Sequence, residues 1–412
     1  MKAIQDRLLA TKAVMGKSAY DDLTTLLGWN ISPLLTDLEL ASTVAITKQT
    51  MFDSMHVIFV RGVFNYHMGA MIEALLLLKI KPSMLHNYVQ VWNWPAQVKN
   101  NNPKTVFSEQ RIKSCLAAKG GKVLVCQASE GLALIPVLAN YVQNGLLHNP
   151  DADVRAHAQC FMLLVTVIEL ISASVRYRVT REALFHAIQG YLRAYKDLYG
   201  PERMQPKFHQ LLHFILMIGM FGWMPNCFVL ERKHRRAKRF AEANNNSGRN
   251  YSTSSMREVT AEHIATLQRD ESAHFVEEAC LIEPKHPTKK LLRQLHASWG
   301  CDIAAHVTFR VSKTARVNKW EKVAVGDMVL YDAGGHANIG SVVLLASVED
   351  RAERGEFAGI TPYDIVSVRE RDWSVRCSGK SFFVLLDEIK HSLIWSESGA
   401  DMRVALKPWS QM

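Results

Sequence analysis

Between about residue 56 and residue 225, apolar residues recur at the three- and four-residue spacing of amphipathic helices. Breakers such as Lys79-Ile-Lys-Pro82, Gly120-Gly121, Asn149-Pro150 and Gly200-Pro201 divide this region into separate segments. The predicted helices are 56–79, 82–99, 107–118, 129–145, 151–178, 181–199 and 205–221. The pattern therefore predicts a continuous helical block as the largest part of the chain.

After residue 303 the apolar period changes to two, which is the spacing of half-buried strands. Short β-branched or aromatic runs occur at 307–311, 322–331, 339–348, 363–368, 373–377, 381–386 and 391–395. A run of this kind over about 110 residues predicts a small β-barrel or SH3-like module with its own core. The fold class expected from the whole chain is mainly α with a C-terminal all-β module.

The region between these two parts begins with a basic stretch at 228–240 and continues as a predicted helix at 256–282. Pro284 and Pro287 close that element, and a last helix is predicted at about 288–299. The composition, with 48% hydrophobic and 21% charged residues, is that of a globular protein with two or three domains.

The net charge of +10 is unevenly distributed along the chain. Residues 301–412 carry 14 Lys/Arg against 15 Asp/Glu, so the first 300 residues hold the whole positive excess. An anionic partner is therefore expected to meet the N-terminal two-thirds. Seven scattered cysteines without a CxxC pair favour a reducing compartment. The short and interrupted apolar runs predict no membrane span.

The basic stretch has the most polarised chemistry of the chain. Glu231 precedes six Lys/Arg within the eight positions 232–239. Glu231, His234 and Arg235 are spaced i, i+3 and i+4, on one face of a helix. A carboxylate there could bind a metal while the surrounding cations hold phosphates. The alternative interpretation is a solvated basic helix or a nuclear-import tract.

Two other patterns could supply metal ligands. Asp53 and His56 form a D-x-x-H pattern in an apolar setting, where the alternatives are a metal site or a helix-capping Asp beside a core His. His209 and His213 have the i, i+4 spacing of a ligand pair, but the apolar run around them favours packing in the core.

Several stretches, in order, resemble the transposases of CACTA-type and related cut-and-paste DNA elements. The resemblance covers about residues 20–270. It rests on Leu27-Gly-Trp-Asn, Leu34-Leu-Thr-Asp, Phe52-Asp-Ser-Met-His56, Gln127-Ala-Ser-Glu-Gly-Leu, Pro206-Lys-Phe-His-Gln-Leu-Leu-His213, Cys227-Phe-Val-Leu-Glu231-Arg-Lys-His234 and Met256-Arg-Glu-Val-Thr260.

This resemblance implies a ribonuclease-H-like nuclease in which Asp, Asp and Glu carboxylates hold two divalent metals, Mg²⁺ or Mn²⁺. Glu231 matches the family's Glu, with His234 beside it, and Asp53 with His56 matches its D-x-x-H motif. Asp53 and Glu231 are thus the catalytic and metal-binding candidates. The implied domains are a ribonuclease-H-like remnant at 1–55, a helical insertion at 56–225, a Glu-containing basic helix with following helices at 226–300, and the β module at 301–412.

The family's first Asp and its upstream DNA-binding region have no counterpart in the roughly 50 residues before Asp53. The acids available there, Asp21, Asp22 and Asp37, do not lie in strand-like runs. The leading hypothesis is therefore a truncated or domesticated transposase, located in the nucleus, that binds DNA without full catalytic activity. The residues expected to contact DNA phosphates are Arg232, Lys233, Arg235, Arg236, Lys238 and Arg239.

Two alternatives stay open at this point. The first is an active metal-dependent DNA transposase or nuclease, which needs three carboxylates around a shared metal pair. The second is a non-catalytic interaction protein whose β module binds a protein or peptide. An exposed aromatic cage involving Trp320, Tyr331 or Trp373 would favour the second alternative, although core packing is the expectation for each of these rings.

Overall fold

The computed structural model describes residues 10–12, 14–27, 51–96, 98, 103–118, 122–174, 179–224, 227, 251–269, 279–299, 307–318, 321–350, 353–399 and 402–406. The chain divides into two compact units, Met1–Phe52 and Asp53–Met412. In the first unit, helix α1 spans Lys17–Leu27.

The predicted helical block is confirmed in the second unit. Its helices are α2 (Ser54–Ile58), α3 (Val63–Leu77), α4 (Pro82–Gln90), α5 (Glu109–Ala117), α6 (Ala128–Asn144), α7 (Ala152–Ala173), α8 (Arg181–Tyr199) and α9 (Pro206–Phe221). Helices α10 (Tyr251–Arg269) and α11 (Lys289–Trp299) follow. The side chains that helix periodicity predicts to be buried, such as Leu184, Ile188 and Tyr191 on α8, form the core.

The segment predicted as one helix from 56 to 79 is two helices. The chain turns between α2 and α3, where Arg61 has a φ of 44°. Gly62 follows, and a Cβ at this position would lie 2.3 Å from the Val57 carbonyl oxygen. Only glycine fits so close to the preceding turn, so α2 ends and α3 begins at Val63.

Among the described residues, ten strands form one antiparallel sheet: β1 (Trp92–Asn93), β3 (Val307–Ser312), β6 (Met328–Ala333), β7 (His336–Asp350), β8 (Glu353–Val368), β9 (Asp372–Cys377), β10 (Phe382–Leu385), β11 (Ile389–Leu393), β12 (Trp395–Glu397) and β13 (Met402–Leu406). Their order is β1-β12-β13-β9-β8-β7-β6-β11, with β10 paired to β8 and β3 paired to β7. A second sheet has the order β2 (Cys280–Ile282), β4 (Thr314–Arg316), β5 (Lys322–Ala324).

The C-terminal β structure is thus confirmed at the level of an antiparallel sheet, while an SH3-like barrel stays a prediction. Two expectations at its edges were wrong. The segment 256–282 ends as strand β2, because Leu281 packs into the same apolar cluster as Ala315 and Val317. The predicted helix 82–99 ends at Gln90, and Trp92 then pairs with Ser396 as part of the large sheet.

The large sheet and the helical block contact each other directly. Strand β1, which follows α4, is one such contact. In another, the Ala96 N–H donates a hydrogen bond of 3.0 Å to Asp327 Oδ1. The Arg371 guanidinium, in the turn before β9, lies 2.5 Å from Glu169 Oε1 on α7. The β strands therefore share a compact unit with the helices.

Among the described helices, α7 is long and apolar enough to cross a membrane by length and composition. Half of its most apolar stretch is buried inside this chain. Its residues Phe161 and Leu164 are fully enclosed, as in a core helix.

Candidate functional site

Asp53 is the N-cap residue of α2. Its backbone is extended, with φ −78° and ψ 121°, and its carboxylate accepts N–H bonds from Met55 at 3.4 Å and His56 at 2.9 Å. The His56 ring Nδ1 also contacts Asp53 Oδ2. The sequence alternative of a capping Asp is therefore realised, although His56 is not a core residue, because 44% of its side chain is exposed.

The Asp53 carboxylate also binds a distant part of the chain. The Cys227 N–H donates a hydrogen bond of 2.7 Å to Asp53 Oδ1 across 174 positions of sequence. Cys227 opens the Cys227-Phe-Val-Leu-Glu231 stretch. Two of the segments that carry the transposase resemblance are thus in direct contact.

A third segment of the resemblance lies against α2 as well. Lys207, near the start of α9, donates hydrogen bonds to the His56 carbonyl oxygen at 2.8 Å and to the Val60 carbonyl oxygen. The His56 carbonyl is one of the backbone groups that the C-terminal end of a short helix leaves unpaired, and Val60 lies two residues after that end. Burial lowers the pKa of Lys207, and the nearby Asp53 carboxylate opposes that shift.

The fourth segment, at the start of α6, packs against Phe59, the C-cap residue of α2. The Glu130 carboxylate accepts a 2.7 Å bond from the Gln127 N–H and pairs with Arg111 at 3.1 Å. One residue later, a Cβ on Gly131 would lie 2.8 Å from Phe59 Cδ1, so the close approach requires glycine. Four segments that are far apart in sequence therefore meet around α2.

Asp53, His56 and Cys227 each present a metal-ligand atom, and these atoms lie within 4.8 Å of one another. All three side chains are partly buried. The set combines one carboxylate, one imidazole and one thiol. It does not match the all-oxygen coordination that Mg²⁺ prefers, so these three residues alone do not fit the Mg²⁺ or Mn²⁺ pair that the resemblance implies.

The other predicted site residues are not brought into this geometry. Glu231, His234 and the six basic residues Arg232, Lys233, Arg235, Arg236, Lys238 and Arg239 lie outside the described residues. The prediction that His209 and His213 pack in the core was wrong. His209 is exposed and His213 half-buried, with ring centroids 5.1 Å apart, because Phe208, Leu211 and Phe214 form the buried face of α9.

A second polar cluster, which sequence reasoning did not single out, lies inside the helical block. His67 on α3 is fully buried, and its Nδ1 is 3.2 Å from the Tyr191 hydroxyl. His157 Nδ1 is 3.0 Å from the Tyr199 hydroxyl. Burial, with a smaller contribution from His157, lowers the pKa of His67 to about 3. The regular spacing of Tyr191, Tyr195 and Tyr199 on α8 was the signal for an aromatic face here.

In the large sheet, Tyr331 and Trp373 are core residues with 3% and 7% exposure, so neither contributes to an exposed aromatic cage. Trp320 lies outside the described residues. A different pair of rings flanks a cation. The Arg403 guanidinium lies 5.1 Å from the Tyr363 ring centroid and 4.2 Å from that of Trp395.

Comparison with known proteins gives no match: no protein-family model, no curated protein and no solved structure is similar to this chain.

Proposed function

We propose that this chain is a transposon-derived DNA-binding protein of the nucleus, descended from a cut-and-paste transposase and without full catalytic activity. The observation that carries the proposal is the hydrogen bond between the Cys227 N–H and Asp53. This bond joins the D-x-x-H segment to the segment that contains Glu231. In a transposase active site these two segments would have to be neighbours.

The position of the helical block supports this descent. Its helices begin directly after Asp53 and end at Phe221, shortly before Cys227. A large helical insertion between two site segments has this arrangement, because its first and last residues lie next to each other in the fold. The ribonuclease-H-like remnant at 1–55 and the SH3-like nature of the C-terminal module belong to the same proposal.

The role of the Asp53 carboxylate favours binding over cutting. It caps α2 and holds Cys227, so three backbone N–H groups already occupy most of its lone-pair positions, which leaves room for one metal ion but not for bridging two. Two-metal phosphoryl transfer needs several carboxylates that bridge the metals. Among the described residues, the ligand group around Asp53 contains a single carboxylate.

DNA binding is assigned to the basic residues that follow Glu231. Arg and Lys side chains neutralise phosphates and release bound counterions, which makes affinity depend on salt and little on sequence. The uneven charge of the chain agrees with this assignment, because the C-terminal 112 residues are close to neutral with 14 Lys/Arg and 15 Asp/Glu.

The test measures duplex DNA affinity between about 50 and 200 mM salt, for the full chain and a variant with Ala at Arg232, Lys233, Arg235, Arg236, Lys238 and Arg239. Each lost phosphate contact removes about 0.9 from the slope of log K against log salt, so the expected decrease is up to about 5. A charge-matched control replaces six exposed cations of the C-terminal region: Arg310, Lys322, Arg369, Arg376, Lys380 and Lys390. An unchanged slope in the first variant, or an equal decrease in the control, would refute the assignment.

Catalysis is tested separately with a nicking assay in Mg²⁺ and in Mn²⁺. No cleavage above background is expected. Cleavage that is lost in both Asp53→Asn and Glu231→Gln would instead establish the active transposase or nuclease.

A further inference from the structure

We propose that Asp53, His56 and Cys227 form a binding site for a zinc-type divalent cation. The three residues lie at the N-terminal end of α2, and their ligand atoms are within 4.8 Å of one another. The site differs in its residues and in its chemistry from the Mg²⁺ or Mn²⁺ pair at Asp53 and Glu231. It also does not depend on DNA binding, so it can hold or fail independently of the proposed function.

The donor chemistry selects the metal. Thiolate sulfur and imidazole nitrogen are the ligands that Zn²⁺ takes most often, and a carboxylate oxygen is a common third. From the Zn–ligand bond lengths, tetrahedral ligands are roughly 3.3–3.8 Å apart. Ligand atoms that are up to 4.8 Å apart would therefore have to approach each other by only about 1 Å to bind one Zn²⁺. Mg²⁺ would have to accept sulfur, which it avoids.

The backbone holds the three ligands in place before a metal arrives. Asp53 and His56 occupy the cap and the first turn of α2, and Lys207 fixes this turn by binding the His56 carbonyl oxygen at 2.8 Å. Cys227 is held at the same place by its N–H bond of 2.7 Å to Asp53. A preorganised site loses less entropy on binding than one that has to assemble.

Metal binding would replace one contact of this group and remove one proton from it. The His56 ring nitrogen that contacts Asp53 Oδ2 is too close for both atoms to hold one metal, so the cation would enter between them and replace that contact. Cys227 would bind as thiolate, and its proton would pass to solvent. Three protein ligands fill three corners of a tetrahedron, and the fourth is open to water or to an external ligand.

The site would join two segments that are 174 positions apart in sequence. A ligand that binds only the folded state stabilises it in proportion to its affinity. The cation would therefore strengthen the connection between the D-x-x-H segment and the segment that begins at Cys227.

The experiment titrates the metal-stripped full chain with Co²⁺, a spectroscopic substitute for Zn²⁺, and follows the thiolate-to-cobalt charge-transfer band. The expected result is one Co²⁺ per chain, displaced by Zn²⁺ but not by excess Mg²⁺. Cys227→Ser should abolish the band, and His56→Gln and Asp53→Asn should each weaken affinity at least tenfold. Cys377→Ser is the matched control, because Cys377 is an exposed cysteine on β9 and should leave the band unchanged.

Circular dichroism and urea unfolding of each variant show whether it is folded. Absence of the band in the folded wild-type chain, or its persistence in Cys227→Ser, would overturn the proposal. The salt dependence of DNA affinity, measured on the same samples, separates failure of the metal site from failure of the proposed function.

Discussion

The Asn140 side-chain amide on α6 donates a hydrogen bond of 2.6 Å to the Asp372 carboxylate at the start of β9. Asn144, one helical turn further, donates to the same oxygen at 3.2 Å. Asp372 is 1% exposed and Asn140 is 2% exposed, so the contact lies in the interior between helices and sheet. Burial, followed by the Asp372 carboxylate, raises the pKa of the neighbouring Tyr88 hydroxyl, which itself donates to Asn140.

Asp372→Ala should lower the free energy of unfolding by about 1.5–3 kcal/mol, because it leaves the buried Asn140 amide without its charged acceptor and also removes the bond from the exposed Asn144. Urea unfolding followed by circular dichroism measures the change. Glu370→Ala is the control. Glu370 also accepts an amide bond, from Gln143 at 2.7 Å, but it is exposed, so a loss of about 0.5 kcal/mol or less is expected. Equal losses in the two variants would show that the buried network contributes nothing particular.

The helices could be predicted from the sequence because their boundaries are set locally. Thr180 caps α8 through its hydroxyl at 3.1 Å from the Ala183 N–H, and Gly200, with a φ of 87°, follows its last residue. Both signals lie within a few residues of the helix they delimit. The predicted segment 181–199 therefore has the bounds that the structure gives.

Elements that depend on distant partners could not be predicted in the same way. Trp92–Asn93 is a strand only because it pairs with β12, about 300 positions later. The strand β13 was missed for a related reason: its residues pair with β9 and β12, and its five residues give too short a pattern to recognise. Tertiary pairing decides such short segments.

The candidate site shows the same division. Asp53 and His56 could be singled out from their i, i+3 spacing, which is local. That Cys227 would join them could not, because the contact spans 174 positions and is made by a backbone N–H, which every residue except proline has. The order of the resembling segments was the one available hint that they meet.

The capping role of Asp53 predicts different outcomes for two substitutions. Asp53→Ala removes the acceptor for the Met55, His56 and Cys227 N–H groups and should lower the free energy of unfolding by about 1–3 kcal/mol. Asp53→Asn should lower the free energy of unfolding much less, because an amide oxygen also caps a helix. Urea unfolding measures both.

Ser108 provides the control for this pair of variants. It occupies the N-cap position of α5 but makes no capping side-chain hydrogen bond. Ser108→Ala should therefore change the free energy of unfolding by less than about 0.5 kcal/mol. A loss in Asp53→Asn as large as in Asp53→Ala would mean that the negative charge, rather than the cap, stabilises the fold.

The buried His67 predicts a pH dependence of stability. Its pKa falls from an ordinary 6.5 to about 3 in the folded chain because burial disfavours the charged ring. Above pH 6.5 the ring is neutral in both states and the stability is fully present. As pH falls from 6.5 towards 3, only the unfolded chain takes up the proton, so stability is lost by at most about 1.4 kcal/mol per pH unit.

Urea unfolding at pH 7, 6 and 5 tests this dependence. His67→Phe removes the group that titrates and should flatten the decline, whatever its effect on stability at pH 7. His336→Phe, at the exposed first residue of β7, should leave the decline unchanged. The expectation fails when the slope is the same in His67→Phe as in the wild type.

The position of Arg403 beside two aromatic rings predicts a measurable contribution to the free energy of unfolding. The guanidinium is 4.2 Å from the Trp395 centroid and 5.1 Å from the Tyr363 centroid, and all three side chains are half-buried. Cation–π attraction at such partly desolvated sites is worth about 1–2 kcal/mol. Arg403→Leu should lower the free energy of unfolding by this amount. The free energy of unfolding of Arg403→Lys should lie between those of the wild type and Arg403→Leu, because an ammonium group keeps the charge but cannot stack as a plane.

A double-mutant cycle separates the ring contact from other losses. Arg403→Leu and Trp395→Leu are measured alone and together by urea unfolding, and a coupling energy of about 0.5–1 kcal/mol is expected if the two side chains stabilise each other. Arg310→Leu on β3 replaces Arg403→Leu in the control cycle, because Arg310 is exposed and makes no described ring contact. Its coupling to Trp395 should be zero within error. A zero coupling for Arg403 as well would show that the guanidinium only fills space beside the rings, and that the sheet gains nothing from its charge.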